Sequence, residues 1–295
     1  MAADRHVREG HVEVRGGRVW YQVVGDGPRI PLVTVHGGPG ATHDYLEPLE
    51  ALADERAVVF YDQLGAGKSD VPEDTSLWTN ERLVEELGQV LDALGLSLVH
   101  LLGHSWGTIV AAEYALRSPE RLAGLVLSDP CLSIPRYAAG TAALRAGLPE
   151  NVRAVLDRHE AAGSTDSAEY QEASMEFYRR HVCRLDPWPD ALMRTFEQLN
   201  QTIYEQMQGP SEFRVTGIHR DYDITDRLGR LAGPTLFLCG RYDEARPEET
   251  EFYHSLVPGS ELVIFERSSH LPHLEESELY RHVLRGFLHR WEAAP

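Results

Sequence analysis

The chain has 295 residues, 42% of them hydrophobic and 25% charged, which is enough to bury a sizeable core and suits one large α/β domain carrying an insertion. A formal net charge of −18 excludes nucleic acid and acidic membrane surfaces as partners, because both would repel it. Met1-Ala2-Ala3-Asp4-Arg5-His6 opens polar and no apolar run approaches a membrane span, so a cytoplasmic protein without a membrane partner is expected. The cysteines, Cys131, Cys183 and Cys239, are odd in number and widely spaced, which indicates neither a disulfide framework nor a metal site.

In chain order, the alternating segment His11 to Val24 breaks at Gly16-Gly17 and reads as a β-hairpin. Ile30 to Val35 is a third, largely apolar strand that runs into His36-Gly37-Gly38-Pro39-Gly40. Glycines there let main chain approach a substrate closely, while Pro39 stiffens the loop. Ala57 to Tyr61 is the next strand, followed by Gly65-Ala66-Gly67-Lys68-Ser69. That run resembles the end of a phosphate-binding loop, but the full pattern needs glycine where Asp62 stands, so nucleotide binding is not expected. Leu98 to Leu102 and Gly124 to Ser128 complete the first half of a mostly parallel sheet covered on both faces.

The strand rhythm then stops. From residue 131 to 225 the pattern is helical, with candidates in the Ala140s, at Glu169 to Arg184 and at Ala191 to Met207. Such an insertion after the sixth strand is expected to form a cap over the site, leaving residues 1–130 and 226–295 as the core. Pro234 to Gly240 and Ser260 to Glu266 are the seventh and eighth strands, and Glu276 to Trp291 has the pattern of a closing helix.

The chemistry sits where strands end. Ser105 lies in Gly103-His104-Ser105-Trp106-Gly107, between an apolar strand and an Ala- and Leu-rich helical segment. This is the sequence of a nucleophile elbow, in which the serine takes a strained turn and flanking glycines avoid collisions. An acid and a base should follow in that order. Asp243, after Pro234 to Gly240, is the candidate acid, and His270, after Ser260 to Glu266, is the candidate base, with His273 its weaker rival. The oxyanion hole is expected from the amide of Trp106 together with that of Gly37 or Gly38.

Taken together, His36 to Gly40, Tyr61-Asp62-Gln63-Leu64-Gly65-Ala66-Gly67-Lys68-Ser69, Gly103 to Gly107 and Gly240-Arg241-Tyr242-Asp243-Glu244 resemble the proline iminopeptidase family of α/β-hydrolases. Asp186-Pro187-Trp188-Pro189 and Met207-Gln208-Gly209-Pro210-Ser211-Glu212-Phe213 are similar to cap motifs of its aminopeptidases, especially the tricorn-interacting kind. The resemblance spans almost the whole chain. It implies an α/β-hydrolase fold, a mostly parallel eight-stranded sheet with a helical cap after the sixth strand, no cofactor and no metal. It also implies that Glu212 and Glu244 hold the free amine of the substrate, which is a cation near neutral pH and needs paired carboxylates once desolvated.

The expected activity is that of a serine aminopeptidase releasing N-terminal proline or another apolar residue from short peptides. An amino-acid amidase or esterase is the first alternative and a non-catalytic binding module the second. His104, Thr108 and Ala41 depart from the family pattern, and Trp188, Tyr204 and Phe213 are aromatic candidates for the pocket.

Overall fold

The computed structural model describes residues 6–292. Seven strands form one sheet: β1 (Val7–Val14), β2 (Gly17–Val35), β3 (Arg56–Tyr61), β4 (Val99–His104), β5 (Leu122–Ser128), β6 (Thr235–Gly240) and β7 (Glu261–Phe265). Their order is β1-β2-β4-β5-β6-β7, with β3 paired to β2. The expected count of eight is corrected to seven because the second and third expected strands are one continuous strand. β2 bends through Gly25 to Pro28, and β3 runs antiparallel along both of its halves, pairing Tyr21 with Tyr61 and, past the register shifts, Val33 with Val59. From β2 onward the sheet is parallel, each strand joined to the next by a helix-bearing crossover.

Near-continuous apolar strands are what a sheet buried on both faces requires, and successive residues do face opposite cores. Leu101, Leu125, Leu127 and Phe237 join one cluster, packed under α1 (Asn80–Ala93) and α2 (Gly107–Arg117). Leu102, Val126, Leu236 and Leu238 join the other, with a 3-10 helix over Asp44–Asp54 and the closing helix. The expected cap region between β5 and β6 contains α3 (Ile134–Ala146), α4 (Glu150–Ala162), α5 (Ala168–His181), α6 (Asp190–Glu197) and α7 (Gln201–Met207). These helices share a small core of their own around Leu156, Tyr170 and Phe177.

Two details differ from expectation here. α4 has no counterpart in the sequence reading, and the single helix expected over Ala191 to Met207 is two. The break falls at Asn200, whose side-chain oxygen accepts from Ile203 N at 3.2 Å to cap α7. Asn200 also ties this segment to the core, its Nδ2 donating to Gly65 O and its N to Gly40 O.

After β6 come α8 (Pro247–Leu256), then β7, a short α9 (Pro272–Glu275) and α10 (Ser277–Arg290). Among the described residues no helix is long and apolar enough to cross a membrane.

Candidate functional site

Ser105 sits in the turn from β4 into α2 with φ of +54°, in the left-handed region that L-residues avoid. The glycines on either side make that turn possible. A Cβ on Gly107 would lie 2.3 Å from Val35 O, and one on Gly103 would lie 2.6 Å from Gly107 O. Ser105 N donates to Ser128 O at 2.9 Å, fixing the turn to β5. Thr108 Oγ1 donates to Ser105 O at 2.6 Å and accepts from Cys131 N, so Thr108 reinforces the elbow.

Asp243 and His270, at the C-terminal ends of β6 and β7, meet as expected. His270 Nδ1 donates to Asp243 Oδ1 at 2.6 Å, and Asp243 is held in turn by the amide of Ala245. Burial disfavours the imidazolium, but the charge and hydrogen bond of Asp243 outweigh it and raise the His270 pKa. His273 is committed elsewhere: its Nε2 donates to Tyr45 O, and burial lowers its pKa to about 3.

Ser105 and His270 line one cavity of about 240 Å³ together with Gly37, Gly38, Glu212 and Glu244. Glu244 is buried, with Oε1 3.7 Å from His270 Nε2 and Oε2 without a partner. Glu212 accepts from Tyr204 Oη at 2.6 Å and from Tyr137 Oη at 2.9 Å. Desolvation pushes both carboxyls up from their ordinary range, and the charge of Glu212 raises Glu244 further. The site therefore presents a buried carboxyl with an unused oxygen and a second carboxyl in the same cavity, groups whose ionised forms would need a cationic partner.

The loop after β2 gives a more specific result than the sequence did. Gly37 N donates to Tyr45 Oη at 2.7 Å, so its amide is occupied and Gly37 is not the free oxyanion donor. Gly37 keeps another role, since a Cβ there would lie 2.9 Å from Ser105 Cβ. Gly38 is left as the candidate donor from this loop. Trp106 stands at the N-terminus of α2, where helical N–H groups lack intrahelical acceptors. Its indole Nε1 donates to His219 Nδ1 at 3.1 Å, which requires the neutral ring that burial favours by lowering the His219 pKa to about 4.

The segment resembling a phosphate loop is a brace for this glycine loop. Gln63 N donates to His36 Nε2 and Gln63 Nε2 to His36 O, while Asp62 accepts from His43 and from Lys68 N.

Of the three aromatic candidates only Tyr204 lines the cavity; Trp188 and Phe213 pack in hydrophobic clusters. The apolar wall instead uses Tyr178, Leu192, Phe196 and Leu271. Sequence reasoning also missed Tyr45, Tyr137 and His181. Tyr45 Oη donates to His104 Nδ1, and His104 Nε2 donates to His270 O, joining the glycine loop to the histidine loop. His181, the last residue of α5, accepts at its carbonyl from both Glu244 N and His270 N at 3.2 Å.

The family model described as alpha/beta hydrolase fold matches residues 30–277, which is the class that a serine elbow and a His–Asp pair on a parallel sheet define. The proline iminopeptidase of Heyndrickxia coagulans is 44% identical over 282 residues, spanning 95% of this chain and 98% of that protein. That of Saccharolobus solfataricus is 38% identical, spanning 96% and 93%. Among solved structures, VinJ superposes with a TM-score of 0.94 at 40% identity, covering 96% of this chain and 99% of VinJ. The Mycobacterium smegmatis proline iminopeptidase gives 0.88 at 37% identity, covering 96% and 98%. The chain belongs to the proline iminopeptidase family of α/β-hydrolases.

Proposed function

We propose that the protein is a serine aminopeptidase that releases an N-terminal proline or other apolar residue from short peptides through an acyl-enzyme. The observation that carries this reading is the placement of Glu212 and Glu244 in the same cavity as Ser105 and His270, with Glu244 3.7 Å from the base nitrogen. An ammonium held there puts its own residue's carbonyl next to the serine, because only the α-carbon separates the two groups. Blocked and internal peptide bonds lack the cation and leave two buried carboxyls unpaired.

On this reading, donation from His270 Nδ1–H to Asp243 leaves Nε2 as the acceptor that takes the Ser105 proton while Oγ attacks the carbonyl carbon. The amides of Trp106 and Gly38 receive the oxyanion. His270 passes its proton to the leaving amine as the C–N bond breaks, and water then releases the acyl residue by the same base catalysis. Residues 131–225 act as the cap that keeps bulk water from the carboxyl pair.

The test is turnover of proline, alanine and leucine anilides beside their N-acetyl forms, in wild type, Ser105→Ala and Glu212→Gln. Ser105→Ala should lose roughly 10⁴-fold or more in kcat. Glu212→Gln should raise KM for free-amine substrates and leave a small neutral ester within about threefold. Strong turnover of acetylated anilides by wild type would remove the basis for an exopeptidase.

A further inference from the structure

Asp129 is a buried carboxyl that the steps above do not use. It stands at the C-terminal end of β5, beside β6 in the parallel sheet, directly after Ser128, which pairs with Leu238. It is wholly buried, and with φ of +53° it is the only non-glycine besides Ser105 with a left-handed backbone among the described residues. The conformation is held by Asp129 N donating to Leu238 O at 2.7 Å. Its side chain accepts from Ser128 Oγ at 2.7 Å and from Gly240 N at 3.2 Å.

What these contacts achieve is to aim Asp129 at the acid of the His–Asp pair. One carboxyl oxygen of Asp129, one of Asp243 and one ring nitrogen of His270 all lie within 4.8 Å of one another. Asp243 Oδ1 is taken by His270 and Ala245, while Oδ2 is buried and lacks a partner. Two full negative charges this close in a dry site repel strongly, so the pair resolves to one charge and one proton.

We propose that Asp129 carries that proton and donates it in a hydrogen bond to Asp243 Oδ2, making Asp129 a positioning residue that keeps Asp243 aimed at His270. Burial and the neighbouring charge of Asp243 both push Asp129 up from the carboxylate range, in agreement with this. The other titratable groups around it are His270, His104 at the end of β4, Tyr45, Tyr280 through Ser128, Cys239, and Cys131, whose thiol lies 3.9 Å from the Asp129 carbonyl oxygen. His104 is held neutral by burial and by the two neighbouring histidines, and its Nε2 proton is already given to His270 O, so Asp129 gains no cationic partner from it. The proposal rests on the reading of His270 and Asp243 as base and acid, and its readouts are separable from that reading.

Asp129→Asn supplies a neutral donor of the same shape. It should keep kcat/KM within about threefold and leave the acidic limb of its pH profile, set by His270, where wild type has it. Asp129→Ala should lower kcat roughly tenfold to a hundredfold with KM little changed. If Asp129 is ionised in wild type, Asp129→Asn removes a charge near the imidazolium and the limb moves down by about one unit or more. Such a shift, or a loss in Asp129→Asn as large as in Asp129→Ala, overturns the proposal. Should Asp129→Ala fail to fold, infrared decides: the difference spectrum of wild type minus Asp129→Asn should contain one carbonyl band of a protonated carboxyl, and the absence of that difference band also overturns the proposal. Loss of activity in Asp243→Asn tests the underlying acid assignment separately.

Discussion

Glu244 is placed at a cost to stability. Its carboxyl is buried, its Oε2 has no partner, and desolvation together with the charge of Glu212 raises its pKa well above the ordinary value. For an acid whose folded pKa is raised, ionisation favours the unfolded chain. Stability therefore falls as pH rises from the unfolded value of about 4.3 through the folded one. Glu244→Gln should accordingly unfold at a higher Tm than wild type at pH 8, with the difference shrinking toward pH 4, as a thermal scan across pH would record. The same change should weaken turnover of free-amine substrates, because the proposed receptor and the destabilising group are one and the same. On the proposed reading, binding also becomes pH-dependent with a fixed sign: protonating Glu244 and Glu212 on the acid side removes the charge proposed to hold the ammonium.

At the scale of elements, the elbow tolerates the least change. β4 and α2 meet so closely that a Cβ on Gly107 would press on the main-chain oxygens of Val35 and His36 at 2.3 and 2.6 Å, and backbone has little room to yield. Gly107→Ala should therefore cost about 2–4 kcal/mol in urea unfolding, and it should displace Ser105 in whatever folded protein remains. The strands around this elbow were legible because doubly buried strands are apolar at nearly every position, a signal that survives without any structure. The continuity of β2 was not, since Gly25-Asp26-Gly27-Pro28 has the composition of a turn, and what shows it as one strand is β3 pairing with residues on both sides of that stretch. Ser105, Asp243 and His270 were legible from position, each standing at a strand end in the required order. Tyr45, Tyr137 and Asp129 carry no local signal, because each acts on a residue distant in sequence. Gly37 was half legible: its closeness to Ser105 follows from its being glycine, but the hydroxyl that occupies its amide comes from Tyr45.

For the whole molecule, charge is the dominant property. A net charge of −18 surrounds a cavity whose proposed ligand is a cation. Long-range attraction should raise the encounter rate, and added salt should screen it. Thus kcat/KM for a free-amine anilide should fall as ionic strength rises from 0.01 to about 0.3 M, while that for a neutral ester stays flat. Steady-state assays over a salt series would separate this from local binding at Glu212 and Glu244, which is buried and screened far less.

The carbonyl at the end of α5 has a bearing on how such enzymes could be recombined. One oxygen, that of His181, receives N–H groups from the loops carrying both Glu244 and His270. Helices inserted into this fold are tempting to exchange as interchangeable parts for new selectivity. Here the insert is also a fixture of the core, so a transplant that changes where α5 stops would leave two buried amides unanswered and let both loops drift. A workable chimera would inherit the helix end along with its recipient loops, and vary only the wall made by Tyr178, Leu192 and Phe196.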